Sequence, residues 1–282
     1  MLGIIGGTGI YQLEGLEVTG EHEIETPFGS PSAPILQGRM GERDLFFLPR
    51  HGRGHELLPS EVNYRANIWA LKKLGVTQVI GLSAVGSLQE EIKPGDLSLP
   101  DQYFDFVKGN RKKSFFGNGL AAHVSTAEPT SKPLADALEK AGESVGISLY
   151  RNKTYGCVDG PRLGTRAESF FLRGAAGCDL VGMTNVPEVF LAKEAQISYC
   201  TIAIATDYDC WMDDPAHHVS VEQVIARYGA SLEKAKAVLT AFINSPEEAF
   251  DCASRSSLAS AVLTPRDSLN QSQKELLELL SA

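Results

Sequence analysis

Val76-Thr77-Gln78-Val79-Ile80-Gly81-Leu82-Ser83-Ala84-Val85-Gly86-Ser87 is the stretch on which the fold turns. Val76 to Leu82 reads as a buried strand, and Ser83 to Ser87 as a turn of small residues closing it. Immediately before it, Val62, Ala66, Ile68, Trp69, Leu71 and Leu74 recur near helical spacing. This predicts a helix over residues 60 to 74 with Ser60 as N-cap and Gly75 as its stop. A helix running straight into a buried strand is one α/β unit.

Working outward, the same pattern repeats. Leu2 to Ile5 is a short apolar run that stops at Gly6-Gly7-Thr8-Gly9, and strand-like pieces follow at Ala33 to Leu36 and Asp44 to Leu48. Helix-to-strand units are expected at residues 166 to 182 and 187 to 206, and one long amphipathic helix over residues 219 to 243. Strands apolar on both faces and separated by helices belong to a sheet covered on both sides. The fold class expected is therefore α/β, a three-layer α/β/α arrangement with a mixed central sheet. Residues 1 to 244 form the main domain, and 245 to 282 a helical extension interrupted at Thr264-Pro265.

The 282 residues are 43% hydrophobic with a mean hydropathy of -0.10, enough apolar surface for a substantial core. A net charge of -9 argues against a broad surface for nucleic acid or anionic membrane, so an anionic ligand would need a local site. Cys157, Cys178, Cys200, Cys210 and Cys252 form no CxxC pair and no zinc spacing. Buried free thiols are expected at the first three, which fits a reducing compartment. With no leader-like start and no apolar run of spanning length, the expected location is cytoplasmic.

Five segments could carry chemistry. Gly6-Gly7-Thr8-Gly9 follows a strand, where backbone N–H groups and the Thr8 hydroxyl can converge on an anion, although a purely structural turn has the same composition. It lacks the third small residue of a dinucleotide loop and the Gly-Lys-Ser/Thr ending of a P-loop. Arg50-His51-Gly52-Arg53-Gly54-His55 offers a guanidinium fork matched to phosphate, against the alternatives of a solvated basic turn or a metal site. Ser83 to Ser87 is a third donor-rich turn. Gly182 to Glu188 links a strand to a helix whose first position suits Pro187, and Glu188 there either answers the helix dipole or reaches a sugar hydroxyl. Thr206-Asp207-Tyr208-Asp209 puts two carboxylates just past a buried strand, as helix-capping acids or as groups with a chemical task.

In this order, and with Val62 to Lys72, Arg166-Ala167-Glu168-Ser169 and Thr206 to Trp211 as its most specific stretches, the chain resembles the methylthioadenosine phosphorylase branch of the trimeric purine nucleoside phosphorylases from about Leu2 through Ile243. The resemblance implies phosphorolysis of a purine nucleoside, with inorganic phosphate as co-substrate, no cofactor and no metal, in a homotrimer. It implies phosphate against Thr8, Arg50, His51, Ser83, Ala84 and Thr184, and ribose against Met183 with Glu188 a candidate for its hydroxyl. It implies His123 from a neighbouring subunit near the 5′ end, Val219, Val221, Val224 and Leu263 as an apolar wall there, and Asp207 and Asp209 at the adenine edge.

Leu163 and Gly164 stand where this branch carries an aromatic and a serine, and Gly182 replaces a larger polar residue. These departures keep open a phosphorylase for methylthioinosine or other purine nucleosides, and a noncatalytic nucleoside-binding protein is the alternative of another class. Within the expected mechanism, a protonated Asp207 donates to N7 of the departing base.

Overall fold

The computed structural model describes residues 1–7, 13–212, 221–245 and 253–282, with backbone alone at residues 221–228 and 230. Among the described residues, eleven strands form one sheet. They are β1 (Leu2–Gly6), β2 (Glu17–His22), β3 (Ile35–Met40), β4 (Arg43–Pro49), β5 (Gln78–Ser87), β6 (Leu97–Ser98), β7 (Gln102–Asp105), β8 (Leu149–Tyr150), β9 (Thr154–Cys157), β10 (Leu180–Gly182) and β11 (Ser198–Asp207). The helices are α1 (Tyr64–Lys73), α2 (Lys132–Ser144), α3 (Arg166–Phe170), α4 (Asn185–Glu194), α5 (Val221–Asn244) and α6 (Gln271–Ser281).

Every residue of β11 is buried, as is every residue of β1, which is the burial a sheet covered on both faces imposes. One core joins Leu134 and Leu138 of α2 and Leu232, Val238 and Leu239 of α5 to Ile4, Ile80 and Ile202 of the sheet. A second core joins Ile68 and Leu71 of α1, Val189 and Leu191 of α4 and Leu280 of α6 to Ile5, Val79 and Tyr199. Helices therefore lie on both faces, and the expected three-layer architecture with a mixed sheet is what the chain adopts.

The central strand, β5, is longer than its sequence predicts. Ser83 to Ser87 continues the strand instead of turning, because β11 pairs with it in parallel from Gln78 to Gly86. On its opposite edge β5 has two partners in succession. β1 runs parallel to it over Gln78 to Gly81, and β10 runs antiparallel at Gly86 and Ser87. Between them, residues 82 to 85 of that edge face no strand among the described residues, and the sheet opens. Such an opening at the carboxyl end of parallel strands is where ligands bind in α/β proteins.

Helix α1 begins later than expected. Asn63, not Ser60, is its N-cap, its side-chain carbonyl accepting from the Ala66 N–H, while residues 58 to 62 turn through backbone bonds to Leu58. Gly75 does end it, at φ +80° with its N–H on the Lys72 carbonyl. The Lys72 ammonium in turn bonds the Ala282 carbonyl at 2.8 Å, which fixes α6 against α1. Cys157, Cys178 and Cys200 are buried free thiols and Cys210 a half-buried one, while Cys252 lies outside the described residues. No helix among the described residues is long and apolar enough to cross a membrane.

Candidate active site

The opening beside β5 is built first by Arg50, just past the end of β4. Its backbone N–H bonds the Gly6 carbonyl at the end of β1. Its guanidinium is buried, and Nε and Nη2 donate to the two oxygens of Glu188 at 2.7 Å each. Nη1 donates to the Leu82 carbonyl at 2.8 Å, on the unpaired edge of β5. A fork-on-carboxylate geometry is the strongest form of this pairing. Burial works to lower the Arg50 pKa, but the Glu188 carboxylate outweighs it and holds the guanidinium charged.

Glu188 sits in the first turn of α4, as the helix-dipole reading has it, and has a further partner that its sequence position does not suggest. It is fully buried, with both oxygens taken by Arg50 and one also accepting from the Tyr199 hydroxyl at 2.7 Å. Asn185 extends the chain, its amide donating to the Tyr199 and Thr201 hydroxyls. In this arrangement Glu188 orients Arg50. Of the five N–H groups a guanidinium offers, three are engaged here, so two remain for a ligand.

His51 donates through Nδ1 to the Leu57 carbonyl at 2.8 Å and stacks on His55. Since a carbonyl only accepts, the proton sits on Nδ1 and Nε2 carries the lone pair. Burial, with the Arg50 charge second, lowers its pKa to about 4. Ser83 and Thr184 border the opening with their hydroxyls 3.3 Å apart. Val186, between Thr184 and Pro187, has extended φ and ψ, as a residue before proline prefers, so the regular turns of α4 begin at Pro187. Arg50, Ser83, Ala84 and Thr184 therefore come together, while Thr8 lies outside the described residues.

At the far end of the opening, Asp207 pairs with Gly86 across β11 and β5, after an irregularity at Thr206. Ser83 and Gly86 are separated by three steps of strand, roughly 10 Å. A side chain at position 86 would press within 3.1 Å of both Asp207 and Asp209, so the glycine makes room for the pair. Asp207 accepts from the Thr206 hydroxyl and from the Asp209 N–H, both at 2.7 Å. Asp209 sits at φ +51°. Burial raises its carboxyl above the ordinary range and the Asp207 charge adds to this, against an opposing contribution from Ser169.

The loop carrying Leu163 and Gly164 reaches this end, since the Gly164 carbonyl lies 3.4 Å from Cys210 Sγ. Leu163 is 48% exposed. His123 and Leu263 fall beside one another at the surface, joined by an Ala122–Val262 bridge and by His123 N–H on the Ala261 carbonyl. Val219 and the side chains of Val221 and Val224 lie outside the described residues. Among the described residues no group of three or more His, Cys, Asp or Glu is placed to hold a metal ion.

Two residues that the sequence does not single out organise the site. Arg111, in a basic stretch that looks solvated, turns inward and bonds the carbonyls of Met183, Val186 and Asp159, tying the Met183 segment to the Leu163 loop. Tyr155, in an apolar run, brings its hydroxyl to 3.0 Å from the Ser83 hydroxyl. No spacing or composition marks either one.

A sheet opened beside its central strand, with a guanidinium and hydroxyls at one end and paired carboxylates at the other, is the site of a nucleoside phosphorylase fold. Residues 1–244 match the Phosphorylase superfamily, and the chain belongs to it. It is 44% identical over 280 residues to the S-methyl-5′-thioadenosine phosphorylase of Geobacter sulfurreducens, covering 99% of this chain and 97% of that one. It is 46% identical to that of Hyperthermus butylicus, over 93% and 95% of the two chains. Among solved structures, a methylthioadenosine phosphorylase from an antarctic soil metagenomic library superposes with a TM-score of 0.91 at 40% identity, covering 99% and 98%. The methylthioadenosine phosphorylase of Schistosoma mansoni in complex with adenine gives 0.81 at 37% identity, covering 86% and 90%.

Proposed function

We propose that the protein cleaves S-methyl-5′-thioadenosine with inorganic phosphate, releasing adenine and 5-methylthioribose 1-phosphate. The observation that carries this is the register of β11 on β5, which sets Asp207 beside Gly86, three residues beyond Ser83. One strand then spaces an oxyanion and a purine on either side of a pentose.

In the proposed reaction the C1′–N9 bond stretches first and C1′ becomes cationic, as in glycoside cleavage. Phosphate, held by Arg50, His51, Ser83, Ala84, Thr184 and Thr8, stabilises that charge and then bonds to C1′. The departing purine gathers electron density, and a protonated Asp207, with Asp209 beside it, donates to N7. Because a 6-amino group donates hydrogen bonds, carboxylate acceptors suit adenine over a 6-oxopurine. Met183 packs on the ribose. His123 of a neighbouring subunit, with Leu263, Val219, Val221 and Val224, closes over the methylthio group, whose burial is favourable where an unpaired hydroxyl would lose. This assigns a cytoplasmic homotrimer with roles in purine and methionine salvage, needing no cofactor beyond the co-substrate phosphate.

The exposed aliphatic Leu163 and the bare Gly164 favour one second reading, a looser choice of base that extends to methylthioinosine or ordinary purine nucleosides. Product analysis with methylthioadenosine, adenosine, methylthioinosine and inosine, each with and without phosphate, separates the two. The expected result is phosphate-dependent adenine release, fastest from methylthioadenosine. Base release that ignores phosphate, or binding with no turnover, would overturn the proposal.

A further inference from the structure

Tyr155 lies on β9, its ring fully buried and tilted against that of Tyr103 at 5.7 Å. Its hydroxyl does not reach solvent. It is 3.0 Å from Ser83 Oγ, and Thr184 lies against the same phenol. The chain clears space for this group, since a Cβ at Gly182 would overlap the Tyr155 oxygen. A phenol brought so far into a core normally answers a carbonyl or a carboxylate. This one meets the two hydroxyls assigned above to the phosphate.

The count of protons gives the arrangement its meaning. Ser83, Thr184 and Tyr155 each own one O–H, the Thr184 backbone also lies against the phenol, and among the described residues no charged group is bonded to the three of them. Left to themselves, the serine and threonine hydroxyls satisfy each other across 3.3 Å, or turn to the Ala84 carbonyl, also 3.3 Å from Ser83 Oγ. Both of those contacts are longer than the usual hydroxyl bond of 2.5–3.0 Å. An anion needs donors, so the serine must turn its proton outward and have its lone pair answered from behind.

We propose that Tyr155 is a positioning residue for phosphate, its phenolic O–H donating to Ser83 Oγ so that the Ser83 and Thr184 hydroxyls present their protons to the bound oxyanion. The proposal rests on the reading of Ser83 and Thr184 as phosphate ligands. Burial keeps the phenol protonated by raising its pKa well above the ordinary tyrosine value, so it remains a donor throughout the working pH range. No proton is transferred in this role.

The test is a steady-state comparison of the full-length parent with Tyr155→Phe, Ser83→Ala and the double variant, varying phosphate and methylthioadenosine separately. Phenylalanine keeps the ring and removes only the oxygen. With the net contribution of one neutral hydrogen bond removed, Tyr155→Phe is expected to raise KM for phosphate about three- to tenfold while leaving KM for the nucleoside within about twofold. In the Ser83→Ala background the same change should have no further effect, because the group it acts through is gone. If Ser83→Ala raises the phosphate KM and Tyr155→Phe does not, or if Tyr155→Phe weakens both substrates alike, the inference is wrong and the phosphate reading stands. If Ser83→Ala leaves the phosphate KM unchanged, the phosphate reading fails and takes the inference with it. Thermal unfolding of each variant with and without phosphate supplies the second measurement, a smaller phosphate-induced rise in Tm being expected for Tyr155→Phe.

Discussion

Arg50 and Asp207 stand at opposite ends of one opening and are finished in opposite ways. Arg50 is closed in by groups of its own chain, with a carboxylate on two nitrogens, a carbonyl on the third and Tyr199 behind the carboxylate. The acidic end brings two carboxylates together with no cation bonded to the Asp209 carboxyl among the described contacts, beside a loop whose Leu163 faces outward. On the proposed assignment Arg50 meets phosphate, which is the same in every turnover, so its end can be rigid and built in advance, and the acidic pair meets the base. The base end has to choose, and choice comes from polar groups left unanswered until the right partner arrives.

The sharpest way to break this contrast is at the end that chooses. Asp207→Asn replaces an acceptor with a group that can also donate, and should shift the ratio of kcat/KM for methylthioadenosine over methylthioinosine on the order of 10⁴ toward the 6-oxopurine. Equal losses on both substrates would remove base selection from this residue. At the rigid end the readout is stability. Glu188→Gln leaves a buried guanidinium without its counter-charge, and a loss of about 3–5 kcal/mol is expected by urea unfolding. The double change Arg50→Met with Glu188→Gln should recover much of that loss while remaining inactive, which separates the cost of an orphaned charge from the net worth of the pair.

Helix α4 sharpens the comparison further, because it carries a second, half-buried carboxyl at its last residue with no cation to answer it among the described residues. Glu194 accepts only from the Ser114 hydroxyl and the Phe115 N–H, and burial, opposed by those two donors, lifts its pKa to about 7. A carboxyl whose folded pKa lies above its unfolded value near 4.5 contributes stability that is complete below pH 4.5 and is lost as pH rises through 7. The shift corresponds to about 3 kcal/mol. Glu194→Gln should therefore unfold at a higher urea concentration than the parent at pH 8, with the difference shrinking or reversing at pH 5. A pH-independent difference would mean that the carboxyl is ionised in both regimes.

Much of this fold is legible in the sequence because it depends on local pattern. β1, β4, the first half of β5 and β11 appear as apolar runs, and α1 and α5 as periodic ones. The far half of β5 is not legible, since Ser83-Ala84-Val85-Gly86-Ser87 has the composition of a turn and becomes a strand only because β11 lies alongside it. The same division holds in the site. Arg50, Ser83, Thr184 and the acidic pair are marked by residue type at strand ends. The partner of Arg50 lies 138 positions away and Tyr155 lies 72 positions from Ser83, so those relations exist only after folding. Glu188 is the instructive case, because a carboxylate in a first helical turn has several explanations from sequence and only packing chooses among them.

The parting of the sheet beside β5 also bears on how a guest is admitted. One bank of the gap is carried by β1 and β4, the other by β10 and β9, and the two banks meet through β5 at separate points, Gln78 to Gly81 and Gly86 to Ser87. Among the described residues no strand pairs across the interval between those points, which is bridged by the Arg50 side chain bonded to the Leu82 carbonyl and to Glu188. Drawing the banks together over a nucleoside, or letting them part to release a base, need not break a single bond between strands.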